Sequence, residues 1–113
     1  MWTDFAILKT DAIIFVVDSC DTERLSIARQ ELAAMLQEEE LKDAILLVFA
    51  NKQDMKGALN APAISEALGL SSIKNRQWSI QETSATRGRG LFEGFDWLVR
   101  LPYTGYKLRL TLL

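Results

Sequence analysis

Two unbroken apolar runs stand out along the chain, Ala12-Ile13-Ile14-Phe15-Val16-Val17 and Ala44-Ile45-Leu46-Leu47-Val48-Phe49-Ala50. Both are rich in β-branched residues, and each runs straight into turn-forming residues: Asp18-Ser19-Cys20-Asp21 after the first, Asn51-Lys52-Gln53-Asp54 after the second. A strand with no polar alternation is buried on both faces, as in a parallel sheet covered by helices. Between the runs, Leu25, Ala28, Leu32, Met35 and Leu36 recur at helical spacing and form one apolar stripe. Asp21 is placed to cap that helix, and Glu23 puts an anion in its first turn, where the helix dipole favours it. The acidic run Glu38-Glu39-Glu40 sits badly at a helix C-terminus and reads as a solvated turn.

Past Asp54 the pattern predicts a loop with Gly57, then a short helix. Pro62 lies near its start, Gly69 just past its end, and Ile64, Ala67 and Leu68 on its inner face. From Gln77 to about Thr83, Trp78 and Ile80 alternate with polar neighbours, which predicts an edge strand. Gly90 then precedes a helix whose Leu91, Phe92, Phe95, Leu98 and Val99 share a face, with Pro102 to stop it. The order β-α-β-α-β-α, joined by right-handed crossovers, predicts an α/β domain with three parallel strands and helices on both faces.

Length and composition agree with that architecture. The 113 residues suit one domain, and 49% apolar with 25% charged residues is a globular profile. A formal charge of −2 without a basic stripe argues against nucleic acid as a partner. With no histidine, Ser/His/Asp triads and the usual zinc sites are excluded. The lone Cys20 fits a reducing compartment and a packed or partly exposed thiol. Neither apolar run approaches the roughly 18–20 residues of a membrane span. Met1 to Thr10 makes a poor signal peptide, and Trp2 stands where myristoylation demands glycine. The expectation is a cytoplasmic domain with no membrane anchor of its own, Trp78 and Trp97 packing into its core.

Ligands of open α/β sheets bind beyond the carboxyl ends of the strands. Two of the loops leaving those ends carry readable chemistry. An ionised Asp54 accepts two side-by-side hydrogen bonds, a pattern that guanine donates and adenine does not. Lys52 can lay its stem over a base plane while its ammonium reaches an oxygen. Asn51 offers donors and an acceptor to neighbouring loops. Ser84 and Ala85 end the third strand, and the Ala85 amide is a candidate donor to the guanine O6. Asn-Lys-x-Asp alone arises by chance in about one or two of a hundred chains of this length, so its placement at a strand end is what gives it weight.

These motifs resemble an Arf-family small GTPase. The likeness runs from Asp11 to Arg100 and rests on Ile13–Ser19, Met35–Leu41, Val48–Asp54, Thr83–Thr86 and Gly90–Gly94. Within the family the chain looks most like the Arf-like protein 1 group of Golgi trafficking regulators. The resemblance implies the C-terminal half of a P-loop NTPase-type, Ras-like three-layer sandwich over 11–100. A segment at 1–10 that does not resemble the family and a divergent tail at 101–113 flank it. It also implies guanine recognition by Asn51, Lys52, Asp54, Ser84 and Ala85, GTP or GDP as ligand with Mg2+ in the intact family, and effectors in vesicle traffic.

The phosphate half of such a site is not in this sequence. No G-x-x-x-x-G-K-[ST] loop and no Asp-x-x-Gly-Gln segment occurs. No catalytic residue and no metal ligand is therefore expected. Three or four polar contacts to a base, less the cost of association, leave about −4 to −6 kcal/mol, roughly millimolar to tens of micromolar affinity. The alternative is a non-catalytic interaction fragment without nucleotide binding, or a piece of sequence with no function of its own. The resemblance also puts the strand Ile13–Val17 in the middle of a sheet, beside the phosphate-loop strand, so an aggregation-prone bare edge is expected here. Tyr106 to Leu112 alternates like a strand, and two readings stay open. It either pairs with that edge or has no relation to the domain.

Overall fold

A computed structural model of the chain describes residues 12–99 and 108–112. Seven elements follow in order: β1 (Ala12–Asp18), α1 (Leu25–Leu36), β2 (Ile45–Asn51), α2 (Ala61–Leu68), β3 (Trp78–Glu82), α3 (Leu91–Val99) and β4 (Leu108–Leu112). The strands form one sheet of order β3-β2-β1-β4, and every pair in it is parallel. The three expected strands and their helices are in place, with β3 at one edge. The fourth strand corrects the expectation of a bare edge: β1 pairs with β4 from Ala12↔Leu108 to Val16↔Leu112.

Register sorts the side chains between the two faces. Pairs Ile13↔Leu46, Phe15↔Val48 and Val17↔Ala50 belong to one core, completed by Leu25, Ala28, Leu32 and Met35 of α1 and Ile64 and Leu68 of α2. Each contributor to that core is buried, which explains why both apolar runs lack polar interruptions. On the opposite face Ala12 and Ile45 meet Leu98, while Ile14, Leu47 and Phe49 form a second small cluster with Leu91 and Trp97 at its margin. Trp78 packs against the larger core, so both tryptophans sit where expected.

Local signals hold with two changes. Asp21 does not cap with its side chain; it pairs with Arg24 at 3.3 Å, and a single 3-10 turn, Thr22–Arg24, precedes α1. The cap of α2 is Asn60, whose Oδ1 accepts from the Ala63 amide at 3.0 Å, with Pro62 in the first turn and Gly69 left-handed at the end. In α3 the inward stripe is Leu91, Gly94 and Leu98 rather than one that includes Phe92, which is 76% exposed. Gly94 is required there, because a Cβ would collide with the Phe49 ring. The close approach lets Phe95 meet Phe49 edge-on, ring centroids 5.6 Å apart. Trp2, Pro102 and the first two residues of the alternating tail lie outside the described residues, as does the side chain of Val99.

One arginine fixes the entry to β2. The Arg76 guanidinium donates to the carbonyls of Leu36, Leu41, Lys42 and Ala44 at 2.7–3.1 Å, tying the end of α1 to the start of the strand. Carbonyls at the end of a helix lack i+4 partners, and a planar five-donor fork suits such a group of acceptors. Burial lowers the Arg76 pKa from its ordinary value.

Candidate functional site

Three polar residues are buried completely among the described ones: Ser19, Thr83 and Ser84. All follow the carboxyl ends of strands, and each hydroxyl is satisfied by a neighbouring loop. Polar groups buried in this way hold backbone in place when fully paired. The loop after β2 is the hub. Its Gln53 side-chain amide donates to Ser19 Oγ (3.1 Å), the Ala50 carbonyl (3.3 Å) and the Leu59 carbonyl (2.8 Å). Its backbone amide reaches the Thr83 carbonyl at 3.0 Å. One residue thus joins the loops after β1, β2 and β3 and the approach to α2.

To turn Gln53 inward the chain bends at Lys52, which has φ +66°, the one non-glycine positive φ among the described residues. Lys52 points outward, half-exposed, and its Nζ lies 2.8 Å from Asp18 Oδ2. Chiefly through that bond, the ammonium holds the Asp18 carboxyl below its ordinary pKa and Lys52 is held above its own. Asp18 Oδ1 accepts from the Cys20 amide at 2.9 Å, fixing the turn after β1. The sequence marks Asp18 only as a turn residue; its partner lies 34 positions away and no local signal points to it.

The loop after β3 closes on itself. Ser84 and Arg89 exchange backbone hydrogen bonds at 2.9 and 3.0 Å, and Gly90 takes φ +82° against the Glu82 backbone, where any Cβ would clash. That closure presents Ser84 and Ala85 to the loop after β2. Ser84 Oγ donates to Asp54 Oδ1 at 2.7 Å. Asn51 Oδ1 accepts from the Ala85 amide and from Thr83 Oγ1, each at 3.0 Å. The structure therefore brings Asn51, Asp54, Ser84 and Ala85 into one constellation, with Lys52 beside it on Asp18.

One expectation changes in detail. The Ala85 amide is not free for a ligand oxygen; it is bonded to Asn51. Asp54 is mostly shielded, at 17% side-chain exposure, and Arg87 Nε stands 4.0 Å from its second oxygen. The Ser84 bond comes first among the causes that hold the Asp54 carboxyl below its ordinary pKa, so it is an acceptor at neutral pH. Among the described residues no group of three or more Asp, Glu, Cys or His side chains comes together. No helix among them is long and apolar enough to cross a membrane.

Comparison with known proteins gives this geometry a setting. Residues 1–101 match the model of the ADP-ribosylation factor family, a range that includes the first ten residues. The chain is 58% identical over 90 residues to ADP-ribosylation factor 1 of Brassica rapa subsp. pekinensis and 57% identical over 90 residues to ADP-ribosylation factor 3 of Arabidopsis thaliana. In both cases the alignment covers 80% of this chain and 50% of the relative, so the chain spans about half the length of these relatives. Among solved structures, the Arl6 BBS3 small GTPase from Trypanosoma brucei, with bound nucleotide analogue GppNp, superposes with a TM-score of 0.79 at 34% identity. That superposition covers 88% of this chain and 62% of the other. The strands and helices described above thus match part of a small GTPase fold, and the chain belongs to the ADP-ribosylation factor family.

Proposed function

We propose that the chain carries the guanine-reading side of an Arf-family nucleotide site and binds GDP or GTP weakly through the base, without hydrolysing GTP. The observation that supports this reading is the meeting of two loops through the Ser84–Asp54 and Ala85–Asn51 bonds. They bring an ionised carboxylate and a backbone amide to one place. Asp54 would accept from the base N1 and exocyclic amine, Ala85 would donate to O6 in exchange for its bond to Asn51, and the Lys52 stem would cover the ring. Contacts of this kind, less association costs, correspond to about −4 to −6 kcal/mol, roughly millimolar to tens of micromolar dissociation constants. Mg2+ and catalysis belong to the phosphate side, for which the sequence supplies no loop. A place in Golgi vesicle traffic, trafficking effectors as partners and kinship to the Arf-like protein 1 group are parts of the same proposal and rest on family likeness.

Titration of the isotopically labelled chain with GDP and with ADP tests it. GDP should move the Ser84 and Ala85 amide resonances, ADP should not, and Asp54→Asn should abolish the difference. Equal responses to both nucleotides, or none at millimolar GDP, would remove base recognition. GTP turnover by the purified chain would refute the second half of the proposal. A second reading, an interaction fragment that binds no nucleotide, is favoured by one observation: the Ala85 amide and both Asp54 oxygens already have partners within the protein.

A further inference from the structure

Strand β1 is apolar from Ala12 to Val17 and buried on both faces as far as Phe15, so its composition is that of an interior strand with partners along both edges. One edge is taken by β2. The other is taken by β4, Leu108–Leu112, which lies beyond the family match ending at residue 101. β1 lies inside the matched family region and β4 outside it. The relatives extend over a further half of their length that this chain does not span. We infer that β4 is a stand-in strand: sequence outside the family match occupies the β1 edge that the other half of the relatives fills, and it excludes any such strand while it is docked.

Direction points the same way. β4 runs parallel to β1, and its last pair is Leu112 with Val16. Its carboxyl end therefore reaches the same end of the sheet as Asp18, Lys52 and Asp54. In a parallel sheet the loop that follows a strand at this end joins the ligand site. A strand delivering further site residues next to Asp18 would have to leave from the place β4 holds. The tail thus does two things at once: it seals an edge prone to self-association and closes the site to complementation from that side.

Pairing has an alternating consequence that a loosely attached tail would lack. Successive residues of a strand direct their N–H and C=O groups to opposite sides, so only every second β4 residue donates to β1. Proline at positions 109, 110 and 111, introduced one at a time into the full chain, should alternate in effect. The variants that remove a donor should speed exchange of the β4-facing amides of β1 by about tenfold or more, the intervening ones much less. Excess peptide of the sequence 106–113 should restore protection to a disrupted variant. A nitroxide on Cys20 provides a readout that needs no β4 variant. Cys20 follows the carboxyl end of β1, so the label should broaden the Leu112 amide more than that of Leu108, which lies about 13 Å further along the strand. Equal broadening, a reversed order, or β1 amides indifferent to all three prolines would overturn the assignment.

Discussion

The two faces of the sheet are built to different standards. The face covered by α1 and α2 joins alternate side chains of β1 and β2 to both helices in one continuous core. Among the described residues the face covered by α3 holds two small separate clusters, and it leaves Phe92 76% and Phe95 42% exposed on the same helix. Both faces draw on the same two strands, so the strands are not the source of the difference. It lies in the covering helices: α1 and α2 supply six buried side chains between them to their core, whereas α3 approaches closely at Gly94 and fills the gap with aromatic rings. Stability is expected to reside on the first face, and tolerance to change on the second.

The largest break in that comparison is Phe15→Ala. It empties a fully buried site in the continuous core and should cost about 3–5 kcal/mol in urea unfolding. Gly94→Val attacks the other face by overpacking, driving methyl groups into the Phe49 ring. A loss of about 1–3 kcal/mol is expected. The ring-current shifts of the edge-on Phe49–Phe95 pair should collapse in aromatic NMR spectra while α1 and α2 stay protected. Equal or greater damage from Gly94→Val than from Phe15→Ala would reverse the ranking of the faces. Asn60→Ala removes the α2 cap and should cost about 1 kcal/mol. Phe92→Ser should leave stability within about 0.5 kcal/mol, and a larger loss would show that the exposed ring is packed in solution.

A smaller effect is read by pH. Asp18 is held below its ordinary pKa mainly by Lys52, so the pair's contribution is complete above the ordinary carboxylate range and fades as pH falls through the lowered value. Lys52→Met should move the Asp18 titration upward toward its ordinary position, measured by side-chain carboxyl NMR. Ser84→Ala should do the same for Asp54. An Asp18 titration unchanged in Lys52→Met would show that the ion pair does not persist in water.

Much of the local physics is carried by the sequence, the Asp21 cap excepted. Unbroken apolar runs announce the central strands, and helical spacing announces α1 and α2. Because parallel strands end on one side, the meeting of Asn51 and Asp54 with Ser84 and Ala85 follows from their positions at strand exits. Phe92 departs from its expected face because in a helix of nine residues a one-residue change of phase is enough to turn a side chain outward. Gly94, the smallest residue on the helix, marks the contact line better than its aromatic neighbours do. Arg76 gives no warning, since its four carbonyl partners lie 32–40 positions earlier in the chain. The tail has the alternation of a strand, but alternation does not name a partner. Its pairing depends on a strand more than ninety positions earlier, which no residue pattern in the tail encodes.

The outward bend at Lys52 sets a trade at a single position. A left-handed backbone disfavours a lysine by about 1–2 kcal/mol and suits glycine, while the exposed pair with Asp18 is screened by water. Lys52→Gly should therefore leave the fold as robust as before, or firmer, and cost only whatever the ammonium and its stem do for a visitor. Melting and titration curves of that one variant would separate what the residue does for recognition from what it does for durability.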